Sequence, residues 1–141
     1  MASMGEGDGS KISPELLAKL SDRGGQRSFA RGEVLIREGE SSTEVYILLA
    51  GELKAYATDA NGREMEFNVM TPGEFFGELS LDGGPRSVSV QATSSAICVV
   101  VAQADVQAFL GEYPEFAEAL VMSLIARVRA ATLQAKGTGC G

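Results

Sequence analysis

The segment 73–92, G-E-F-F-G-E-L-S-L-D-G-G-P-R-S-V-S-V-Q-A, combines residue types that can bind an anion. Gly77 lets the backbone approach a ligand closely, because it has no side chain. The residues after it are predicted to form one short helical turn, whose unpaired N–H groups favour negative charge. Arg86 follows on a Gly/Pro-rich turn, and its planar guanidinium has five donors that suit phosphate oxygens. With the Ser87 hydroxyl beside it, the segment predicts a phosphate-binding site.

Glu78 is the exception in this segment, since a carboxylate repels phosphate. An acceptor at this position indicates a ligand that also carries a hydroxyl group, as ribose does. The alternative is a strand and a turn on which a surface arginine pairs with a surface glutamate. The order of Gly, Glu, Gly-Gly, Pro, Arg and Ser, followed by a strand in which Val88, Val90 and Ala92 alternate, favours the anion site.

Composition excludes several classes of site. The 141 residues are 45% hydrophobic, which predicts one domain with its own core. The net charge of −7 argues against a nucleic-acid or anionic-membrane surface. The chain has no histidine, so histidine metal sites, histidine general bases and Ser-His-Asp triads are excluded. We therefore expect no catalytic residues, no metal site, no cofactor and no enzymatic activity.

The two cysteines form neither a metal nor a disulfide framework. Cys98 lies in an apolar run and is expected to be a buried small hydrophobe, whereas Cys140 lies near the end of the chain. The sequence contains no signal peptide and no apolar run of transmembrane length. These features predict a cytoplasmic protein without a membrane partner.

The elements that must position the anion site are predicted to be mostly strands. Ser13 is expected to cap a short helix that has Pro14 at its first position and Leu16, Leu17 and Leu20 on its apolar side. Short apolar runs separated by turn signals then predict strands at 27–30, 34–36, 45–49, 53–58, 65–69, 88–92 and 97–101. This pattern is typical of an antiparallel barrel or sandwich.

One strand and two helices carry further predictions. Met65, Phe67 and Val69 alternate with polar residues, which predicts a half-buried strand. A short helix is expected to end near Gly111, and a longer helix at 115–134 carries apolar residues at three- and four-residue spacing. The predicted organisation is a disordered leader at 1–10, a single domain at 11–134 and a flexible tail at 135–141.

The motif F-G-E-L-S-L…P-R-S resembles the phosphate-binding cassette of cyclic nucleotide-binding domains, which occur in catabolite activator proteins, kinase regulatory subunits and cyclic-nucleotide-gated channels. The resemblance extends from about Phe29 to Thr132 and includes E-V-L-I-R-E-G-E and Y-I-L-L-A-G-E-L, which are similar to the glycine-punctuated strands of the family. It implies a mainly β fold: an antiparallel jelly-roll barrel, similar to the double-stranded β-helix of cupins, with a short N-terminal helix and two C-terminal helices.

The resemblance also implies which residues contact the ligand. Glu78 would accept a hydrogen bond from the ribose 2′-hydroxyl, and Arg86 would pair with the cyclic phosphate. The base end would involve two strand residues and the helix residue that matches the first member of a Thr-Ser pair in the activator proteins. The implied ligand-binding set is Ala55, Phe67, Phe76, Gly77, Glu78, Leu79, Ser80, Pro85, Arg86, Ser87, Val88 and Thr132.

The function implied by the resemblance is a regulatory module that binds cAMP, or alternatively cGMP, and signals through its C-terminal helix. A homodimer through that helix and an unknown downstream protein are the implied partners, without nucleic acid. Two other classes stay open: a degenerate fold that serves protein–protein contact, and a small cupin-type barrel enzyme. The lack of histidine disfavours the enzyme, and the presence of both Glu78 and Arg86 disfavours the degenerate fold.

Overall fold

The structure is a computed structural model that describes residues 12–77 and 84–140, without the side chains of residues 131 and 134–140. The first element is helix α1 (Pro14–Ser21). Its start follows the predicted cap, because the Ser13 hydroxyl accepts a hydrogen bond of 3.2 Å from the backbone N–H of Leu16. Leu16 and Leu20 are buried and attach α1 to the domain.

The described residues form eight strands in two antiparallel four-stranded sheets. In chain order these strands are β1 (Gly25–Phe29), β2 (Val34–Ile36), β3 (Val45–Ala50), β4 (Leu53–Thr58), β5 (Glu64–Met70), β6 (Phe75–Phe76), β7 (Ser89–Ala92) and β8 (Ala96–Val101). Sheet I has the order β1-β8-β3-β6, and sheet II has the order β2-β7-β4-β5. This arrangement confirms the mainly β jelly roll. No strand pairing joins the two sheets within the described residues, so the jelly roll is a sandwich rather than a closed barrel.

Strands β3, β6 and β8 of sheet I have side chains in two cores, which explains why their sequences are nearly continuously apolar, whereas the edge strand β1 is mostly exposed. One face contributes residues such as Leu48 and Cys98 to the core between the sheets. The opposite face contributes Ile47 and Val101 to a second core under the helices. Successive side chains of a strand point to opposite faces, so a strand between two cores has no polar side to show in its sequence.

Strand β6 has only two residues, and each belongs to a different core. Phe76 packs between the sheets, whereas Phe75 packs against the helices. The Phe75 ring lies 6.0 Å from the ring of Phe116, measured between centroids. This strand was not predicted, because two residues are too few to show periodicity.

Strand β5 is the last strand of sheet II, and its predicted half-burial is wrong. Met65, Phe67 and Val69 are 43%, 57% and 42% exposed. The strand lies at the edge of the sheet, and its register shifts against β4, so alternation does not place these three side chains in a core. The buried end of β5 is Met70 instead.

Two helices follow the strands: α2 (Gln103–Glu112) and α3 (Pro114–Cys140). Both were predicted, but α3 continues six residues beyond the predicted end at Gln134 and includes 135–140, which were predicted as a flexible tail. Gly137 and Gly139 lower helix propensity by about 1 kcal/mol each relative to alanine, which weakens a helix without forbidding it. None of the described helices is both long and apolar enough to span a bilayer.

Candidate functional site

A cavity of about 450 Å³ opens between the inner face of sheet II and strand β6. A volume of this size is within the usual range for small-molecule sites. Seven residues of the predicted ligand-binding set line it: Ala55, Phe76, Gly77, Pro85, Arg86, Ser87 and Val88. The predicted phosphate-binding segment and Ala55 of β4, which precedes it by about twenty to thirty positions, therefore meet at one site.

Arg86 is 5% exposed and forms part of the cavity wall. Its Nε donates to the hydroxyl of Ser42 at 2.9 Å, Nη1 donates to the carbonyl of Gly77 at 2.9 Å, and Nη2 donates to the carbonyl of Glu44 at 2.7 Å. Because a guanidinium is planar and these contacts fix its plane, its orientation toward the cavity is set by the protein itself. We call these three contacts the Arg86 clamp.

The backbone of Arg86 is held by the loop between β2 and β3, which also contains Ser42 and Glu44. The N–H of Gly39 donates to the carbonyl of Arg86 at 2.8 Å, and the N–H of Arg86 donates to the carbonyl of Glu40 at 2.8 Å. Both main-chain contacts of Arg86 and two of its three side-chain contacts are thus made with residues that precede it by more than forty positions. Sequence spacing gave no indication of this loop's contribution.

Gly77 has a φ of +91°, a conformation that favours glycine. A Cβ atom at this position would lie 2.9 Å from the carbonyl oxygen of Glu44 and 3.0 Å from Nη1 of Arg86. The sequence predicted that the backbone of Gly77 approaches a ligand. In the structure this backbone lies close to the residues of the Arg86 clamp.

The floor of the cavity is apolar. Phe76 stacks on Tyr46 with ring centroids 5.1 Å apart and an interplanar angle of 11°. Burial raises the pKa of the Tyr46 hydroxyl, so it stays neutral at physiological pH. Ile36 and Val90 add aliphatic surface from sheet II. An apolar floor beside a fixed cation suits a ligand with one flat apolar part and one anionic part.

Glu74 also lines the cavity and is 6% exposed. Its carboxylate accepts hydrogen bonds of 3.0 Å from both the backbone N–H and the hydroxyl of Thr71. These contacts stabilise the turn that leads into β6. We therefore assign Glu74 a role in shaping the wall.

The structure does not bring Phe67 or Thr132 to the cavity. Phe67 is exposed on the edge strand β5, where the register shift occurs. Thr132 is exposed on α3, and its hydroxyl donates to the carbonyl of Val128 at 2.9 Å in its own helix. The predictions for Glu78, Leu79 and Ser80 lie outside the described residues.

Arg127 lines the cavity from α3, and it was not among the residues predicted from the sequence. At 1.5 Å per residue, it precedes Thr132 by about 7.5 Å along the helix axis. Arginine within an apolar helical stripe usually indicates a solvated face, so its type alone carried no signal. Arg127 lies one turn after Ser123, which is fully buried, but this burial is visible only in the structure.

No group of three or more histidine, cysteine, aspartate or glutamate residues that could hold a metal ion occurs within 12–77 and 84–140. The described polar side chains that line the cavity are those of Asn68, Glu74, Arg86, Ser87 and Arg127.

The fold and the cavity define a jelly-roll domain with a small-molecule-sized cavity beside a buried arginine. Residues 26–113 match the family model of the cyclic nucleotide-binding domain. Because this match covers more than half of the chain, the chain belongs to the cyclic nucleotide-binding domain family, which confirms the resemblance seen in the sequence.

Individual relatives support the same family. The chain is 30% identical over 119 residues to a CRP-like cAMP-activated global transcriptional regulator of Mycobacterium tuberculosis, covering 84% of this chain and 53% of that protein. The structure of the Thermus thermophilus catabolite activator protein matches with a TM-score of 0.83 and 26% identity, covering 91% of this chain and 61% of the other. A structure described with a cyclic-GMP-dependent signalling pathway of bacterial phytopathogenesis matches with a TM-score of 0.72 and 27% identity, covering 85% and 97%. The chain spans about half the length of its curated bacterial relatives, 53% and 51%.

Proposed function

We propose that the chain is a regulatory sensor that binds a cyclic nucleotide, with cAMP as the ligand, in the cavity between sheet II and β6. The observation that carries this proposal is the position of Arg86, which is buried in the cavity wall with its guanidinium held by Ser42, Gly77 and Glu44. Hydrogen bonds between charged partners are about twice as strong as neutral ones. A cyclic phosphate is therefore a better acceptor for this guanidinium than the carbonyl groups it contacts.

The rest of the nucleotide fits the rest of the cavity. In this proposal Ser87 assists at the phosphate, and Glu78, which directly follows Gly77, accepts from the ribose 2′-hydroxyl. The base lies against the apolar surface that includes Ala55 and Val90. The name of the mycobacterial relative supports cAMP, whereas the structure from a cyclic-GMP-dependent pathway supports cGMP as the alternative ligand.

In this proposal the ligand changes the conformation of the domain through its contacts and is not chemically converted, which is typical of a regulatory domain. Phe76 lies at the cavity, and its neighbour Phe75 packs on Phe116 at the start of α3. A ligand shifts a conformational equilibrium only if it contacts the two states differently. Strand β6 gives a direct route by which a contact at the cavity reaches α3, and a downstream protein would respond to that helix.

We also propose a homodimer through α3. One face of this helix carries Val121, Ile125 and Val128, which are 53%, 42% and 64% exposed, with Leu124 between them. The seven-residue interval from Val121 to Val128 matches the repeat of a two-helix coiled coil. The opposite face of α3 is occupied, since Phe116 and Ser123 are buried against the domain. The predicted absence of a nucleic-acid partner stays a prediction.

Calorimetric titration with cAMP tests the proposal. We expect binding by the wild-type chain and a loss of roughly a hundredfold in Arg86→Ala, because each charge-assisted hydrogen bond contributes about 1.5–3 kcal/mol and a tenfold change equals about 1.4 kcal/mol. Arg86→Lys should recover only part of this affinity, since an ammonium lacks the planar fork.

The control variant is Ser42→Ala, which removes one contact of the Arg86 clamp and keeps the guanidinium. It should lose stability in urea denaturation but retain most of the cAMP affinity. Unchanged affinity in a folded Arg86→Ala variant would remove the phosphate-site assignment. If the wild-type chain binds neither cAMP nor cGMP, a protein-interaction role for the fold becomes the better explanation.

A further inference from the structure

Ser123 marks the end of the buried contact between helix α3 and the rest of the domain. Its exposed fraction is 0%, and Phe116, seven residues earlier on the same face of the helix, is 1% exposed. Among the residues of α3 whose side chains are described, none after Ser123 is buried. Ser123 is therefore the point at which the C-terminal half of α3 is attached to the domain.

The hydroxyl of Ser123 has no hydrogen-bond partner among the residues that the structure describes. By contrast, the buried hydroxyl of Ser89 accepts a hydrogen bond of 2.9 Å from the backbone N–H of Glu38. A hydroxyl on a helix can also donate to the carbonyl four residues earlier, as Thr132 does to Val128 at 2.9 Å. Ser123 makes neither kind of bond, although most buried polar side chains in proteins are hydrogen-bonded.

This hydroxyl weakens the attachment of the helix at the position where it is buried. Packing Ser123 against the domain removes the hydroxyl from water, and no described residue replaces the hydrogen bond that is lost. Release of this part of the helix returns the hydroxyl to water and removes the cost of burying it. The attachment at Ser123 is thus less stable than an attachment through alanine, which has nearly the same size and no polar group.

We propose that Ser123 is a release point, which keeps the segment of α3 that follows it close to the balance between a packed and a released position. Phe116 holds the start of the helix in both positions, because its ring lies 5.1 Å from that of Phe109 and 6.0 Å from that of Phe75, measured between centroids. An effector then needs only a small difference in its contacts with the two positions to move the segment. This inference concerns the ligand-free chain and does not depend on which ligand the cavity binds.

Amide hydrogen exchange on the ligand-free chain and on Ser123→Ala tests the proposal. A short helical segment is marginal in water, so its amides exchange once it leaves the domain. In the wild-type chain we expect the amides of 124–133 to exchange faster than those of β8, because release does not require the sheets to unfold. Ser123→Ala should slow exchange at 124–133 by about tenfold, or about 1.4 kcal/mol, which is the size of the cost of an unpaired buried hydroxyl.

Thr132→Ala is the matched control. It removes a hydroxyl from the same helix, but this hydroxyl is exposed and bonded to the carbonyl of Val128. Threonine is no better a helix former than serine, so the control gains at least as much helix propensity as Ser123→Ala does. We expect Thr132→Ala to change exchange at 124–133 by less than about threefold.

Three results would overturn the inference. Equal exchange rates at 124–133 and in β8 of the wild-type chain would show that this part of α3 opens only when the whole domain unfolds. Unchanged exchange in Ser123→Ala would show that the hydroxyl is hydrogen-bonded in solution, for example to a buried water. Equal slowing by Thr132→Ala would assign the effect to helix propensity. None of these results bears on binding of cAMP, so the proposed function is tested separately by the calorimetric titration.

Discussion

The contacts of Arg86 connect the candidate site to the stability of the domain. One guanidinium bonds to residues from two separate segments, Ser42 and Glu44 on one side and Gly77 on the other. A buried carbonyl that loses its donor costs about 1–3 kcal/mol. Variants of Arg86 are therefore expected to lose stability as well as affinity, so the two effects must be measured separately.

The clamp also makes a prediction for Gly77. Gly77→Ala introduces a methyl group against the Glu44 carbonyl and the Arg86 guanidinium, in addition to the cost of its positive φ. The control is Gly62→Ala, where φ is +81° but no atom lies within 4 Å of the added carbon. We expect Gly62→Ala to lower the free energy of unfolding by about 1 kcal/mol, and Gly77→Ala to lower it by roughly 1–3 kcal/mol more. Equal losses in urea denaturation would show that the clamp adjusts without cost.

The role of a single residue could be predicted from the sequence where few residue types can fill that role and where the role depends on nearby residues. Gly77 and Arg86 could be singled out because few residues supply a positive φ or a planar set of donors. Arg127 could not, since its role depends on where α3 crosses the domain. The resemblance suggested Phe67 and Thr132, but in the structure Phe67 is exposed on the edge strand β5, and the hydroxyl of Thr132 bonds to Val128 in its own helix.

At the scale of elements, sequence patterns predicted most of the strands and the helix starts. Val34–Ile36 and Leu53–Thr58 have the predicted bounds, and α1 begins at the predicted cap. The patterns failed where an element depends on its neighbours. Alternation in β5 does not reveal that the strand is at an edge, and glycine content does not decide where a helix such as α3 ends.

The exposed face of α3 predicts the oligomeric state. Ile125→Glu places a charge in the centre of the apolar face and should convert a dimer into a monomer, because a buried unpaired carboxylate is strongly unfavourable. Ala130→Glu is the control, since Ala130 is also exposed but lies about half a turn away from Val128. Sedimentation velocity at about 50 µM measures both. A wild-type monomer, or a dimer that survives Ile125→Glu, would contradict the proposed interface.

At the scale of the whole molecule, the core between the sheets contains a chemical reporter of folding. Cys98 is fully buried in that core, and burial raises the pKa of its thiol from 9.0 to about 12. Since the native state keeps this proton to higher pH than the unfolded chain, the free energy of unfolding should fall as pH rises above about 9. At pH 8 the thiolate needed for alkylation forms only when the domain opens.

This burial predicts how Cys98 reacts in a Cys140→Ser variant. Labelling at pH 8 should be slow in the native protein and fast in urea, so that its rate reports the population of open molecules. A cyclic nucleotide at a hundred times its dissociation constant should slow labelling by about a hundredfold, or about 2.7 kcal/mol. Rapid labelling without denaturant would show that the core opens locally, and an unchanged rate with ligand would show that binding does not stabilise the fold.

The two arginines at the cavity bear on how fast a ligand arrives. Arg86 and Arg127 lie at one opening of a chain whose net charge is −7. An anionic nucleotide is therefore repelled at long range and attracted only near the opening. At physiological ionic strength the screening length is about 8 Å, so salt removes the distant repulsion more completely than the attraction of the buried Arg86 and the half-buried Arg127. Ionic strength should consequently accelerate capture of the ligand, in contrast to proteins whose surface attracts their ligand from afar.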